Sequence, residues 1–82
     1  MADRTAEDIR AELAEIITEV AGAPAAEVAL DKSFSDDLGV DSLSMVEILY
    51  ACEDKFGVTI PEEASKELRT VGDAVAYIEK AL

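Results

Sequence analysis

Residues 36–43 have the sequence Asp36-Asp37-Leu38-Gly39-Val40-Asp41-Ser42-Leu43, which joins a turn signal to the start of a helix. Gly39 supplies backbone freedom that a residue with a side chain lacks. Either Asp41 or Ser42 can then cap a helix that we predict to run to about Phe56. A serine there lies beside unpaired backbone N–H groups and the positive end of the helix dipole, which favour a phosphate. We therefore expect Ser42 to be an attachment point and not a nucleophile.

The composition indicates one small, strongly acidic domain spanning residues 1–82. Half of the residues (50%) are hydrophobic and few are aromatic, so the predicted core is mostly aliphatic. Nineteen acidic residues against seven basic ones give a net charge of -12. That balance argues against nucleic acid and anionic membranes as partners, since both attract Lys and Arg. It favours basic proteins met by electrostatic steering, although solubility alone is another reason for acidity.

The sequence lacks the residue patterns that catalysis or a defined metal site would need. The chain has no histidine, so a Ser-His-Asp triad cannot form, and no motif supports a Ser-Lys dyad. An EF-hand loop counted from Asp31 would place Asp36 where Gly is needed and Ser42 where Glu is needed. We predict that the chain is not an enzyme and holds no defined metal site.

Cys52 is the only cysteine, which excludes an internal disulfide and fits a reducing compartment. No apolar run approaches the roughly 18 residues of a membrane span, and no secretory signal is present. These features predict a cytoplasmic location.

Hydrophobic periodicity predicts an all-α fold, a four-helix bundle with a short third helix and a long first loop. A capping-box-like start at Thr5 predicts the first helix over residues 6–21, preceded by a frayed segment at residues 1–4. The third helix is predicted over residues 62–68, and the fourth begins after Thr70. The predicted buried face of the fourth helix contains Val71, Ala74, Val75, Ile78 and Leu82.

The connection between the first two helices is long for so small a domain. Residues 25–28 are expected to form a short helical turn. Leu30 and Phe34 are expected to pin the loop over the helices, with Val28 and Leu38 as further apolar anchors.

Two apolar stripes run along the predicted second helix. The core stripe covers an arc of roughly 100° at about 100° per residue, and consists of Met45, Ile48, Leu49, Cys52 and Phe56. A second stripe lies well over 90° away and consists of Leu43, Val46 and Tyr50. Acidic residues flank it at Glu47, Glu53 and Asp54. This second stripe either docks a partner or packs under the long loop or another helix.

The segment Gly39-Val40-Asp41-Ser42-Leu43 resembles the Gly-x-Asp-Ser-Leu phosphopantetheine attachment motif of acyl carrier proteins. The similarity continues in order through nearly the whole chain, at residues 31–34, 36–38, 45–47, 56–61 and 70–74. In detail the sequence is similar to the discrete fatty-acid-synthesis carriers of actinobacteria. Tyr50 and Cys52 depart from the simpler aliphatic residues that are common at their positions.

The resemblance implies that Ser42 carries 4′-phosphopantetheine as a phosphodiester, installed by a carrier-protein synthase (a phosphopantetheinyl transferase) from coenzyme A with Mg²⁺. Asp41 matches the acidic residue before that serine. The implied partner-docking residues are Leu43, Val46, Glu47, Tyr50, Glu53 and Asp54. The further partners implied are the acyltransferase, ketosynthase, reductases and dehydratase of fatty acid synthesis, met by a monomeric carrier.

An acyl chain is costly to leave in water, at about 0.8 kcal/mol per CH₂. We therefore expect the bundle to open a cavity for it, lined by some of Phe34, Leu49, Cys52, Ile60, Ala64, Val71 and Ile78. The predicted function is that of an acyl carrier of a dissociated fatty acid synthase. The alternatives are a polyketide-synthase carrier and, from a different class, an unmodified acidic interaction module in which Ser42 is a plain helix cap.

Overall fold

The structure is a computed structural model that describes residues 5–82. The helices in this range are α1 (Ala6–Ala21), α2 (Ser42–Phe56), α3 (Glu62–Ser65) and α4 (Val71–Ala81), with a 3₁₀-helix at Ala25–Glu27. The all-α prediction is confirmed, while the expectation of fraying at residues 1–4 lies outside the described range. None of the described helices is long and apolar enough to cross a membrane.

Reciprocal capping boxes begin α1 and α4, as the sequence predicts. At α1, the Asp8 amide donates to Thr5 Oγ1 (3.2 Å), and the Thr5 amide donates to the Asp8 carboxylate (3.1 Å). Thr70 and Asp73 make the same pair of hydrogen bonds at α4. Each box satisfies two amides that a helix start would otherwise leave unpaired. The predicted bounds of α1 and α2 agree with those of the structure.

The core forms where α1 packs against both α2 and α4. It is aliphatic, as predicted, and its largest fully buried side chains include Ile9, Leu13, Ile17, Ile48 and Ile78. The prediction that Leu82 belongs to the buried face of α4 was wrong. The helix ends at Ala81, and the side chain of Leu82 is 55% exposed.

The third helix is shorter than predicted, since α3 covers Glu62–Ser65 and not residues 62–68. After Ser65 the hydrogen bonds tighten to a three-residue spacing, with the Glu67 amide donating to Ala64 and the Leu68 amide to Ser65. This tighter turn buries Leu68 before α4 begins.

Backbone hydrogen bonds hold the long loop against the start of α4. The Gly72 amide donates to the Leu30 carbonyl (2.8 Å), and the Phe34 amide donates to the Arg69 carbonyl (3.0 Å). The Phe34 side chain is buried, as predicted, but that of Leu30 is 47% exposed. The prediction that the Leu30 side chain pins the loop was therefore wrong, because its backbone does so instead.

Replacing Gly72 by alanine is expected to lower the free energy of unfolding by about 1–2 kcal/mol, because the loop backbone leaves no room for a methyl group. A Cβ at Gly72 would lie 2.9 Å from the Leu30 carbonyl oxygen. Inside a helix alanine normally stabilises relative to glycine by about 0.5–1 kcal/mol, so the sign of the change is diagnostic. Urea denaturation measures it, with the exposed Ala76→Gly as the calibration of helix propensity in α4. A more stable Gly72→Ala variant would contradict the close approach.

Candidate functional site

Asp41, and not Ser42, is the N-cap of α2. Its carboxylate accepts a hydrogen bond from the Ser44 amide at 2.7 Å, and Ser42 is the first helical residue. The backbone hydrogen bond from Ser44 is the main cause that lowers the pKa of the Asp41 carboxyl below its ordinary value. Since Asp41 provides the cap, the hydroxyl of the exposed Ser42 is left for another role.

A tight turn before α2 fixes where the helix starts. The Ser33 amide donates to the Asp37 carboxylate (2.7 Å), and the Asp36 amide donates to Ser33 Oγ (2.9 Å). Gly39 takes a φ of 68°, a conformation that favours glycine, as the sequence predicts. Sequence reasoning missed the Ser33–Asp37 pair, although Ser and Asp both favour turns because their side chains hydrogen-bond to nearby backbone groups.

The second stripe of α2 is exposed along its whole length. The side chains of Leu43, Val46 and Tyr50 are 72%, 43% and 68% exposed, so neither the long loop nor another described helix buries them. The carboxylates of Glu47 and Asp54 are exposed as well. Three large apolar side chains on one exposed helix face are typical of an interaction surface.

Glu53 has a structural contact that the sequence did not reveal. It is half-buried, and its carboxylate accepts a hydrogen bond from the Ile60 amide at 2.7 Å. This bond joins α2 to the link that leads into α3. No local signal predicts it, because the two residues meet only through the course of the chain around Gly57.

The residues predicted to line an acyl pocket lie in and around the core. Five are buried: Phe34, Cys52, Ile60, Val71 and Ile78. Leu49 and Ala64 are partly buried and pack against that core. Burial raises the pKa of the Cys52 thiol to about 12, so the thiol is neutral at physiological pH.

Two grooves flank α2. The Ser42 groove, of about 460 Å³, lies between the start of α2, the preceding loop and the segment after α3. Its lining includes Phe34, Ser42, Met45, Leu68 and Arg69. The second groove, of about 320 Å³, lies between α2 and α3, and its lining includes Leu49, Tyr50, Glu53 and Ile60. The structure thus divides the predicted pocket residues, with Phe34 beside Ser42 and with Leu49 and Ile60 in the other groove.

The sequence matches a family model described as a phosphopantetheine attachment site over residues 11–78. It is 61% identical to an acyl carrier protein of Acidothermus cellulolyticus, covering 92% of this chain and 89% of that protein. It is 63% identical to an acyl carrier protein of Thermobifida fusca, covering 83% and 86%. A meromycolate extension acyl carrier protein of Mycolicibacterium smegmatis is 62% identical, with 93% and 77% covered.

The fold is also similar to a solved structure, that of an acyl carrier protein from Enterococcus faecalis. The TM-score is 0.79 at 35% sequence identity, and the similarity covers 95% of this chain and 99% of that one. The likeness therefore extends over the whole arrangement of helices and is not confined to the attachment motif.

Proposed function

The chain belongs to the acyl carrier proteins, and we propose that it carries the growing acyl chains of a dissociated fatty acid synthase on Ser42. Acyl carrier proteins are carriers and not enzymes, and the family's prosthetic group is 4′-phosphopantetheine. The observation that supports Ser42 as the attachment residue is its exposed position as the first residue of α2, directly after the Asp41 cap.

Ser42 fits a phosphodiester for two physical reasons. Its side chain is exposed, so a modifying enzyme can reach the hydroxyl. The hydroxyl also lies at the positive end of the α2 dipole, which stabilises a negative charge. When attached, 4′-phosphopantetheine supplies a flexible arm whose thiol carries acyl groups as thioesters.

The attachment uses coenzyme A as co-substrate, with Mg²⁺ and a carrier-protein synthase. The Ser42 oxygen forms a bond to the phosphorus that bears pantetheine, and the P–O bond of the pyrophosphate breaks. Adenosine 3′,5′-bisphosphate leaves, and the serine proton passes to a base of the modifying enzyme. Asp41, held as the N-cap by its bond to the Ser44 amide, orients the backbone from which the hydroxyl projects.

The exposed stripe of Leu43, Val46 and Tyr50 is the surface we assign to partner docking. Its acidic flanks at Glu47 and Asp54 suit basic patches on partners, and a net charge of -12 favours fast, steered encounters. The partners implied are the carrier-protein synthase and the acyltransferase, ketosynthase, reductases and dehydratase of fatty acid synthesis, in the cytoplasm.

Neither alternative function is favoured. The relatives are named acyl carrier protein or, more specifically, meromycolate extension acyl carrier protein, which supports fatty-acid chain extension over a polyketide synthase. The match to a phosphopantetheine attachment family argues against an unmodified interaction module.

Incubation with coenzyme A, Mg²⁺ and a carrier-protein synthase tests the proposal. Intact-mass spectrometry is expected to show that the wild type gains one 4′-phosphopantetheinyl group and that Ser42→Ala gains none. Ser35→Ala, at another exposed serine nearby, is the matched control and should be modified as the wild type is. A wild type that gains no mass, or a Ser42→Ala variant that does, would contradict it.

A further inference from the structure

Arginine provides the positive charge in the lining of the Ser42 groove. Among the described residues that line it, Arg69 is the only basic one, while Asp36 and Asp41 contribute carboxylates. The groove wall therefore carries more negative than positive charge before any modification. A phosphodiester on Ser42 would add a further negative charge to this wall.

Arg69 is well placed to offset that charge because its backbone is held on both sides. Its amide donates to the Asp73 carboxylate (3.2 Å), and its carbonyl accepts from the Phe34 amide (3.0 Å). These bonds join Arg69 to the capping box of α4 and to the loop that leads to Ser42. The residue is exposed, so its long side chain remains free to move.

Among residues 5–82, no carboxylate forms an ion pair with the guanidinium of Arg69. The ion pairs within residues 5–82 join Arg10 to Glu7 (2.6 Å) and Lys55 to Glu15 (3.7 Å), and neither involves Arg69. Arg69 lines the same groove as Asp36 and Asp41 but forms an ion pair with neither. This is unexpected in a chain with a net charge of -12. Its planar fork of N–H donors matches phosphate oxygens better than a lysine does.

We propose that Arg69 binds the phosphodiester formed on Ser42 and so positions the base of the prosthetic arm in the Ser42 groove. The inference rests on the proposed function, since it requires modification at Ser42. Arg69 is a positioning residue and takes no part in the formation of the phosphodiester. It offsets the repulsion that the added phosphate meets from Asp36 and Asp41.

The role of Arg69 is tested by the effect of modification on the melting temperature. The melting temperatures of the apo and modified forms are measured at low ionic strength. The change from apo to modified protein is expected to be about 3 °C less favourable in Arg69→Ala than in the wild type. Arg69→Lys should recover part of the difference. Lys66→Ala is the matched control, because it removes one exposed positive charge nearby that does not line the groove. The difference should disappear at 1 M salt, where the screening length falls to about 3 Å.

The ³¹P chemical shift of the diester gives a second readout that a merely structural role would not move. At low salt it is expected to differ between the wild type and Arg69→Ala, and to be unchanged in Lys66→Ala. Equal apo-to-modified changes in melting temperature in Arg69→Ala and Lys66→Ala, with equal ³¹P shifts, would overturn the role of Arg69 and leave the proposed function intact. Failure of the wild type to gain the group in the mass spectrum would overturn both.

Discussion

Replacing Glu47 and Asp54 together by lysine is expected to lower kcat/KM for acyl transfer by partner enzymes about 10- to 100-fold, because steering contributes a factor of this order to association rates. Both carboxylates are exposed beside the stripe of Leu43, Val46 and Tyr50. The substitutions would place positive charge where basic partners approach. The measurement is steady-state transfer to or from the modified carrier by an acyltransferase and a ketosynthase of fatty acid synthesis.

A change of overall charge must be separated from a change of the docking surface. Glu19→Lys combined with Glu79→Lys makes the same change in net charge at exposed positions on α1 and α4. This control should lower kcat/KM far less, and circular dichroism should show both doubles as helical as the wild type. Salt should reduce the gap between the two doubles as the charges are screened. Equal losses in the two doubles would argue that net charge matters and that the α2 face does not.

Adding Mg²⁺ or moderate salt is expected to raise the melting temperature by about 5–10 °C, equivalent to roughly 1 kcal/mol or slightly more in a domain of this size. The reason is repulsion among nineteen acidic residues that only seven basic ones offset. Folding concentrates these charges, so the compact state gains more from screening than the unfolded chain does. Differential scanning calorimetry at increasing salt, and separately at increasing Mg²⁺, measures the effect.

A variant with fewer surface charges provides the control. Replacing the exposed Glu19, Glu47 and Glu79 by glutamine should raise the melting temperature at low salt and flatten its response to added ions. If the wild type shows no response, or if the variant responds as steeply as the wild type, repulsion does not limit the stability of this fold.

Local signals predicted much of the architecture because they act within one turn of helix. The capping boxes at Thr5 and Thr70 satisfy amides three residues away, so sequence alone locates both helix starts. Helical periodicity separated the buried Ile48, Cys52 and Phe56 from the exposed second stripe of α2, because this pattern also depends on spacing within a single helix. The predicted end of α3 was wrong, since a short amphipathic pattern cannot show where a helix tightens into a turn.

The helical class, the acidic surface, the exposed stripe of α2 and the serine at its start could all be predicted from the sequence, because each depends on composition or on spacing along one element. The contacts of the long loop, in contrast, depend on the tertiary fold. It brought the Leu30 backbone against Gly72, tied Glu53 to the Ile60 amide, and placed Arg69 and Ser42 in the same groove. These contacts join residues that are distant in the chain, and their geometry depends on how the helices pack. No residue pattern within a single segment encodes that packing.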